Sequence, residues 1–82
     1  SGHGVGYAVH ESPYIPNFGK PKSGVKLKVG MVIALEPMLA LGKGGIKVAK
    51  DDFTFKTRDA SRSAHFEKTL VVTENGCEVL TP

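Results

Sequence analysis

Two glutamates stand alone in otherwise apolar, strand-like stretches: Glu36 in Met31-Val32-Ile33-Ala34-Leu35-Glu36-Pro37-Met38, and Glu67 in Ser63-Ala64-His65-Phe66-Glu67-Lys68-Thr69-Leu70-Val71-Val72. Taking even a neutral polar group out of water without a partner costs roughly 2–7 kcal/mol, and a carboxylate costs more or protonates. A fold that uses either stretch as buried strand must therefore give its acid a partner. A bound cation is the strongest candidate. The glycine-rich Ser1-Gly2-His3-Gly4-Val5-Gly6 adds an imidazole to the available donors, and hard or borderline divalent cations take both donor types.

The chain has 82 residues and a formal charge of +3, enough for one domain or a piece of one. At this length only about 60–65% of the unfolded surface is buried on folding, so the core is marginal without a metal or another chain. The lone Cys77 excludes an internal disulfide and suits a reducing, cytoplasmic setting. No apolar run is long enough to span a bilayer, and no membrane partner is expected. Lys20, Lys22, Lys26 and Lys28 crowd one segment. They read as a solvated loop rather than an RNA-binding strip, because no aromatic interleaves them.

Glycine and proline punctuate residues 1–30, which read as turns and loop with at most one short extended piece. Residues 31–41 read as one buried strand, in which Pro37 ends ladder pairing or marks an edge. Two short strands are expected over 46–49 and 53–57. Residues 63–73 read as a long strand, turned at Glu74-Asn75-Gly76 into a returning strand over 77–80. No amphipathic helix is expected. Strand alternation puts His65, Glu67 and Thr69 on one face, and Glu36 on the face of Ala34 and Val32, where small side chains leave room for a cavity.

Several familiar motifs fail. Gly2-x-Gly4 lacks a third glycine at Tyr7, and Gly4-x-Gly6 lacks one at Val9, so the dinucleotide fingerprint is absent. His10-Glu11 lacks the second histidine of the helical zinc-protease motif, because position 14 is tyrosine. His65-x-Glu67 opens like a deaminase signature, but no Pro-Cys-x-x-Cys follows. A single histidine is more often structural than functional; His3 and His10 gain weight only beside Glu36 and Glu67.

Together, Ser1-Gly-His-Gly-Val-Gly6, Val9-His-Glu-Ser-Pro13, Gly30-Met-Val-Ile-Ala-Leu-Glu-Pro-Met38, Phe53-Thr-Phe-Lys-Thr57, Ser63-Ala-His-Phe-Glu-Lys-Thr69 and the tail from Val71 to Thr81 resemble the C-terminal half of the type I methionine aminopeptidases. The resemblance covers nearly the whole chain, in order. It implies the α+β pita-bread (creatinase/aminopeptidase) fold for the parent protein. Residues 1–82 would be the C-terminal part of one metallopeptidase catalytic domain, mainly antiparallel β with loops, whose N-terminal half lies outside the chain. The implied activity is removal of the initiator methionine from nascent polypeptides by a hydroxide held on two divalent metal ions. The residues do not select among cobalt, manganese, iron and zinc.

The resemblance also implies roles. His3, Glu36 and Glu67 correspond to metal ligands, Glu67 bridging the two ions and Glu36 doubling as proton shuttle. His10 corresponds to a catalytic histidine that hydrogen-bonds the substrate peptide. Val9 and Phe53 fall where the family lines its methionine pocket, positions that usually carry larger aromatics. The family usually has glutamine where His65 stands and histidine where Lys68 stands. Its two aspartate ligands have no counterpart here, so the chain alone is expected to be inactive. Its uncovered sheet face is expected to favour self-association. The expected partners are the nascent polypeptide N-terminus, the missing half and the ribosome. Two other readings stay open: a pita-bread peptidase cutting before proline, and a non-catalytic binding module of the same fold.

Overall fold

The computed structural model describes residues 1–82. It contains nine strands and no helix: β1 (Gly2–Gly4), β2 (Glu11–Ile15), β3 (Val32–Leu35), β4 (Met38–Ala40), β5 (Ile46–Val48), β6 (Phe55–Thr57), β7 (Ser63–His65), β8 (Lys68–Thr73) and β9 (Gly76–Val79). The main sheet has the order β2-β1-β3-β8-β9, and β4-β7 and β5-β6 form separate two-stranded ladders. All pairings are antiparallel.

The centre of the main sheet is β3 against β8, both rich in β-branched or bulky apolar residues that suit a pleated, half-buried surface. Ile33, Ala34 and Leu70 are the buried hydrophobic residues. The β8–β9 hairpin turns at Glu74 and Asn75, with Thr73 opposite Gly76. Gly76 has φ of +143°, a value that glycine adopts without steric cost. The expected hairpin and the two short strands at β5 and β6 are all present.

Two expectations need correction. Residues 31–41 and 63–73 are not one strand each: the first breaks at Glu36-Pro37 into β3 and β4, the second at Phe66-Glu67 into β7 and β8. Proline has no N–H to give a ladder, which explains the first break. The second lies directly across from it, held by a hydrogen bond from Phe66 N to Pro37 O of 3.2 Å. Register carries across the gap. Leu35 pairs with Lys68 on one side and Met38 with His65 on the other, so Glu36 stands level with Glu67. The apolar pattern hid both breaks because it is nearly continuous through them.

Residues 1–15 are likewise more ordered than their glycines predict, forming β1 and β2. A Cβ on Gly2 would lie 2.6 Å from Ala34 O, and one on Gly4 would press on the Ser12 carbonyl and lie 2.9 Å from Glu11 O. Small size lets β1 fit between its neighbours, a tertiary requirement that local propensity does not report. Pro13 sits in β2, an edge strand, where a missing N–H is tolerated. The four lysines at 20–28 lie in the exposed loop between β2 and β3, consistent with solvation.

Candidate metal centre

Register explains how distant residues converge. His3 pairs with Ala34, and Ala34 with Thr69, so the three stand in one row across β1, β3 and β8. Directly opposed residues in an antiparallel ladder share a face, and residues two along return to it. Glu36 is two beyond Ala34, and Glu67 two before Thr69. The donor atoms of His3, Glu36 and Glu67 all lie within 4.8 Å of one another. The ladder break frees both glutamates from regular pairing while keeping them level with the imidazole.

Their environments differ. His3 is 4% exposed, Glu36 is half-buried and Glu67 is exposed. The desolvation argument therefore applies in part to Glu36 and little to Glu67 in this chain, because both lie at strand ends rather than inside strands. The clustering of donors, rather than burial, is what asks for a cation.

His3 Nδ1 lies 2.9 Å from the Gly4 carbonyl oxygen. A carbonyl only accepts, so Nδ1 carries a proton, and a ring with that proton alone would bear its lone pair on Nε2. That nitrogen lies 3.1 Å from Glu36 Oε1. A lone pair facing a carboxylate is repulsive unless a proton or a cation stands between them. Metal-ligating histidines characteristically donate their second N–H to a backbone carbonyl, as His3 does. The donor set of one imidazole and two carboxylates thus fits a divalent cation. The second Glu36 oxygen, Oε2, lies 3.1 Å from His65 Nε2. The Glu36 carbonyl accepts from Asn17 Nδ2 at 3.2 Å.

The structure gathers some of the expected residues and leaves others apart. The His10 ring stacks beside His3, with centroids 4.2 Å apart and planes tilted by 48°. Val9 lies in the β1–β2 connection and Phe53 between β5 and β6, both largely exposed. Beside Glu36 and His65 is a cavity of about 710 Å³ whose apolar lining includes Met38, Leu39, Ile46 and Phe55 rather than Phe53. Strand alternation predicts His65 beside Glu67; with the strand broken at residue 66, it hydrogen-bonds Glu36 instead. Asn17 gave no sequence signal, since it sits in an irregular loop and acts through a backbone atom 19 residues away.

Residues 1–74 match the model of metallopeptidase family M24, and the chain belongs to that family. Its relatives are methionine aminopeptidases. It is 52% identical over 81 residues to the methionine aminopeptidase of Mycoplasma capricolum, covering 99% of this chain and 32% of that protein. It is 49% identical over 80 residues to that of Clostridium perfringens, covering 98% and 32%. The crystal structure of the methionine aminopeptidase from Thermotoga maritima superposes with a TM-score of 0.93 at 52% identity, again over 98% of this chain and 32% of the other. The chain thus spans about a third of the length of the curated relatives it matches.

Proposed function

We propose that this chain is the C-terminal part of a pita-bread catalytic domain that removes N-terminal methionine from polypeptides, and that it supplies the histidine and two of the carboxylates of a two-cation site. The observation that carries this reading is the approach of His3, Glu36 and Glu67 donor atoms to within 4.8 Å of one another. The likeness to methionine aminopeptidases over almost the whole chain supports methionine as the residue removed. That likeness also ranks the reading above a peptidase cutting before proline.

His3 offers Nε2 to one cation, its ring fixed by the Gly4 carbonyl. Glu36 would offer Oε1 to a cation held there, and Glu67 would supply a second carboxylate. Bound divalent cations would lower the pKa of a water and polarise the scissile carbonyl. The residues of the chain do the rest. Glu36 would accept a proton from the attacking water and return it to the leaving amine, a role that needs a carboxylate within hydrogen-bond reach of both. His10, beside His3 but outside the donor cluster, would donate to the substrate's peptide oxygen. The remaining carboxylate ligands and the covering helices come from the rest of the parent protein, so the 82-residue chain by itself is inactive.

The test uses the full-length protein that contains this chain and a peptide beginning Met-Gly. Methionine release is expected to vanish with chelator and return with a divalent cation. Glu36→Gln is expected to lower kcat by roughly 10²–10⁴-fold, the range for loss of a general acid–base group. Release that persists in Glu36→Gln, or that proceeds in the 82-residue chain alone, contradicts the proposal.

A further inference from the structure

Resting on the cation-site reading of His3, Glu36 and Glu67, we propose that His65 is a positioning residue: it donates Nε2–H to Glu36 Oε2 and thereby commits that carboxylate to offering the cation a single oxygen. The two Glu36 oxygens face different imidazoles, Oε1 at 3.1 Å from His3 Nε2 and Oε2 at 3.1 Å from His65 Nε2. The two rings are not equivalent. His3 has Nδ1 against a carbonyl, which leaves its Nε2 as the atom free to meet a cation beside Glu36. The hydrogen bond that His65 makes is at Nε2, so the tautomer with its proton there satisfies the carboxylate directly. His65 also lies outside the group of mutually close donors, and its side chain is 48% exposed. A donor to a ligand, rather than a ligand, is the role this placement allows.

The backbone makes the arrangement specific. His65 closes β7 opposite Met38, two residues beyond Glu36, across the matched breaks. The bond from Phe66 N to Pro37 O pins those breaks, and Asn17 holds the Glu36 carbonyl. Glu36 is therefore fixed at its main chain and at one side-chain oxygen. A carboxylate so held cannot rotate to chelate with both oxygens, and a coordination position stays open. Partners of this kind are worth roughly 10–100-fold in metal affinity.

The experiment titrates the metal-free full-length protein with Mn²⁺ and compares His65→Gln, whose amide can still donate, with His65→Ala and His65→Phe, which cannot. His65→Gln is expected to keep the wild-type Kd within about 3-fold, and the two non-donors to weaken it roughly 10–100-fold. Infrared spectra of ¹³C-glutamate-labelled protein supply a second reading. The gap between asymmetric and symmetric carboxylate stretches is wide for one-oxygen binding and should narrow only in the non-donors. Two variants of different bulk guard against a folding defect in either. Unchanged affinity and stretches in a folded non-donor overturn the proposal. So does X-ray absorption showing one fewer imidazole on the metal in His65→Ala, which would make His65 a ligand. If the wild type binds no Mn²⁺, the site reading itself fails, and this inference with it.

Discussion

At the scale of single residues, the site depends on what its members lack as much as on what they carry. Gly4 has no room for a methyl group, because backbone atoms of Glu11 and Ser12 close over it. Those atoms belong to the neighbouring strand and cannot swing aside like a side-chain tip. Gly4→Ala is therefore expected to destabilise the protein by about 1–3 kcal/mol, the range for overpacking, measured by denaturant unfolding. It should also weaken cation binding, since the Gly4 carbonyl orients His3. His3→Ala removes a nitrogen donor outright. Calorimetric titration should find metal affinity lowered, because His3 Nε2 faces Glu36 Oε1 at 3.1 Å within the donor cluster.

At the scale of elements, the matched breaks at Glu36-Pro37 and Phe66-Glu67 bring two carboxylates of antiparallel segments together beside His3. Regular strands would leave both carboxylates flat on a sheet face, at fixed spacing. Interrupting both strands at the same level keeps the register and frees the side chains. A separate element-scale lock joins the turn after β4 to the one after β6. Asp59 accepts from the amides of Lys43 at 2.8 Å and Ser61 at 3.0 Å. The Ser61 hydroxyl beside it, with those amides, holds its pKa from an ordinary 3.8 down to about 2. The hydroxyl makes no well-formed hydrogen bond, so the amides are the dependable donors. A lowered carboxylate pKa stabilises the fold above the unfolded value near 3.8, and that contribution fades as pH falls through about 2. The Asp59 carboxyl carbon should titrate below the ordinary 3.8 by NMR. Protection of the Lys43 and Ser61 amides should be lost over the same interval, and Asp59→Asn should abolish that acid-dependent step.

At the scale of the whole molecule, the chain is open. Its Cα radius of gyration is 14.8 Å, against about 12 Å for a compact domain of this length. Only six residues are buried, while Tyr7, Phe18, Leu41 and Phe53 are almost fully exposed. So much uncovered apolar surface is expected to drive the isolated chain into oligomers, which sedimentation or light scattering would detect as concentration-dependent mass. A monomer at all concentrations would count against that. Cation binding at a site that joins β1, β3 and the β7–β8 break would also be linked to folding. At a free cation concentration 100 times Kd, the full-length protein should gain about 2.7 kcal/mol. The gain would appear as a higher Tm that chelator removes.

The sequence alone determined the residue types of the site and the strand character of the chain. Glu36 and Glu67 stand out because a carboxylate is conspicuous in an apolar run, and the β8–β9 hairpin is legible because its turn chemistry is local. Tertiary structure alone decided where the strands break, that β1 is a strand, and which oxygen of Glu36 meets which imidazole. Those outcomes follow from register and close approach between segments far apart in the chain: the gap opposite Pro37, the space Gly4 leaves for Ser12, the reach of His65 across to Glu36. Hydropathy and propensity are sums over neighbours in sequence, and they carry no information about a partner 29 residues away.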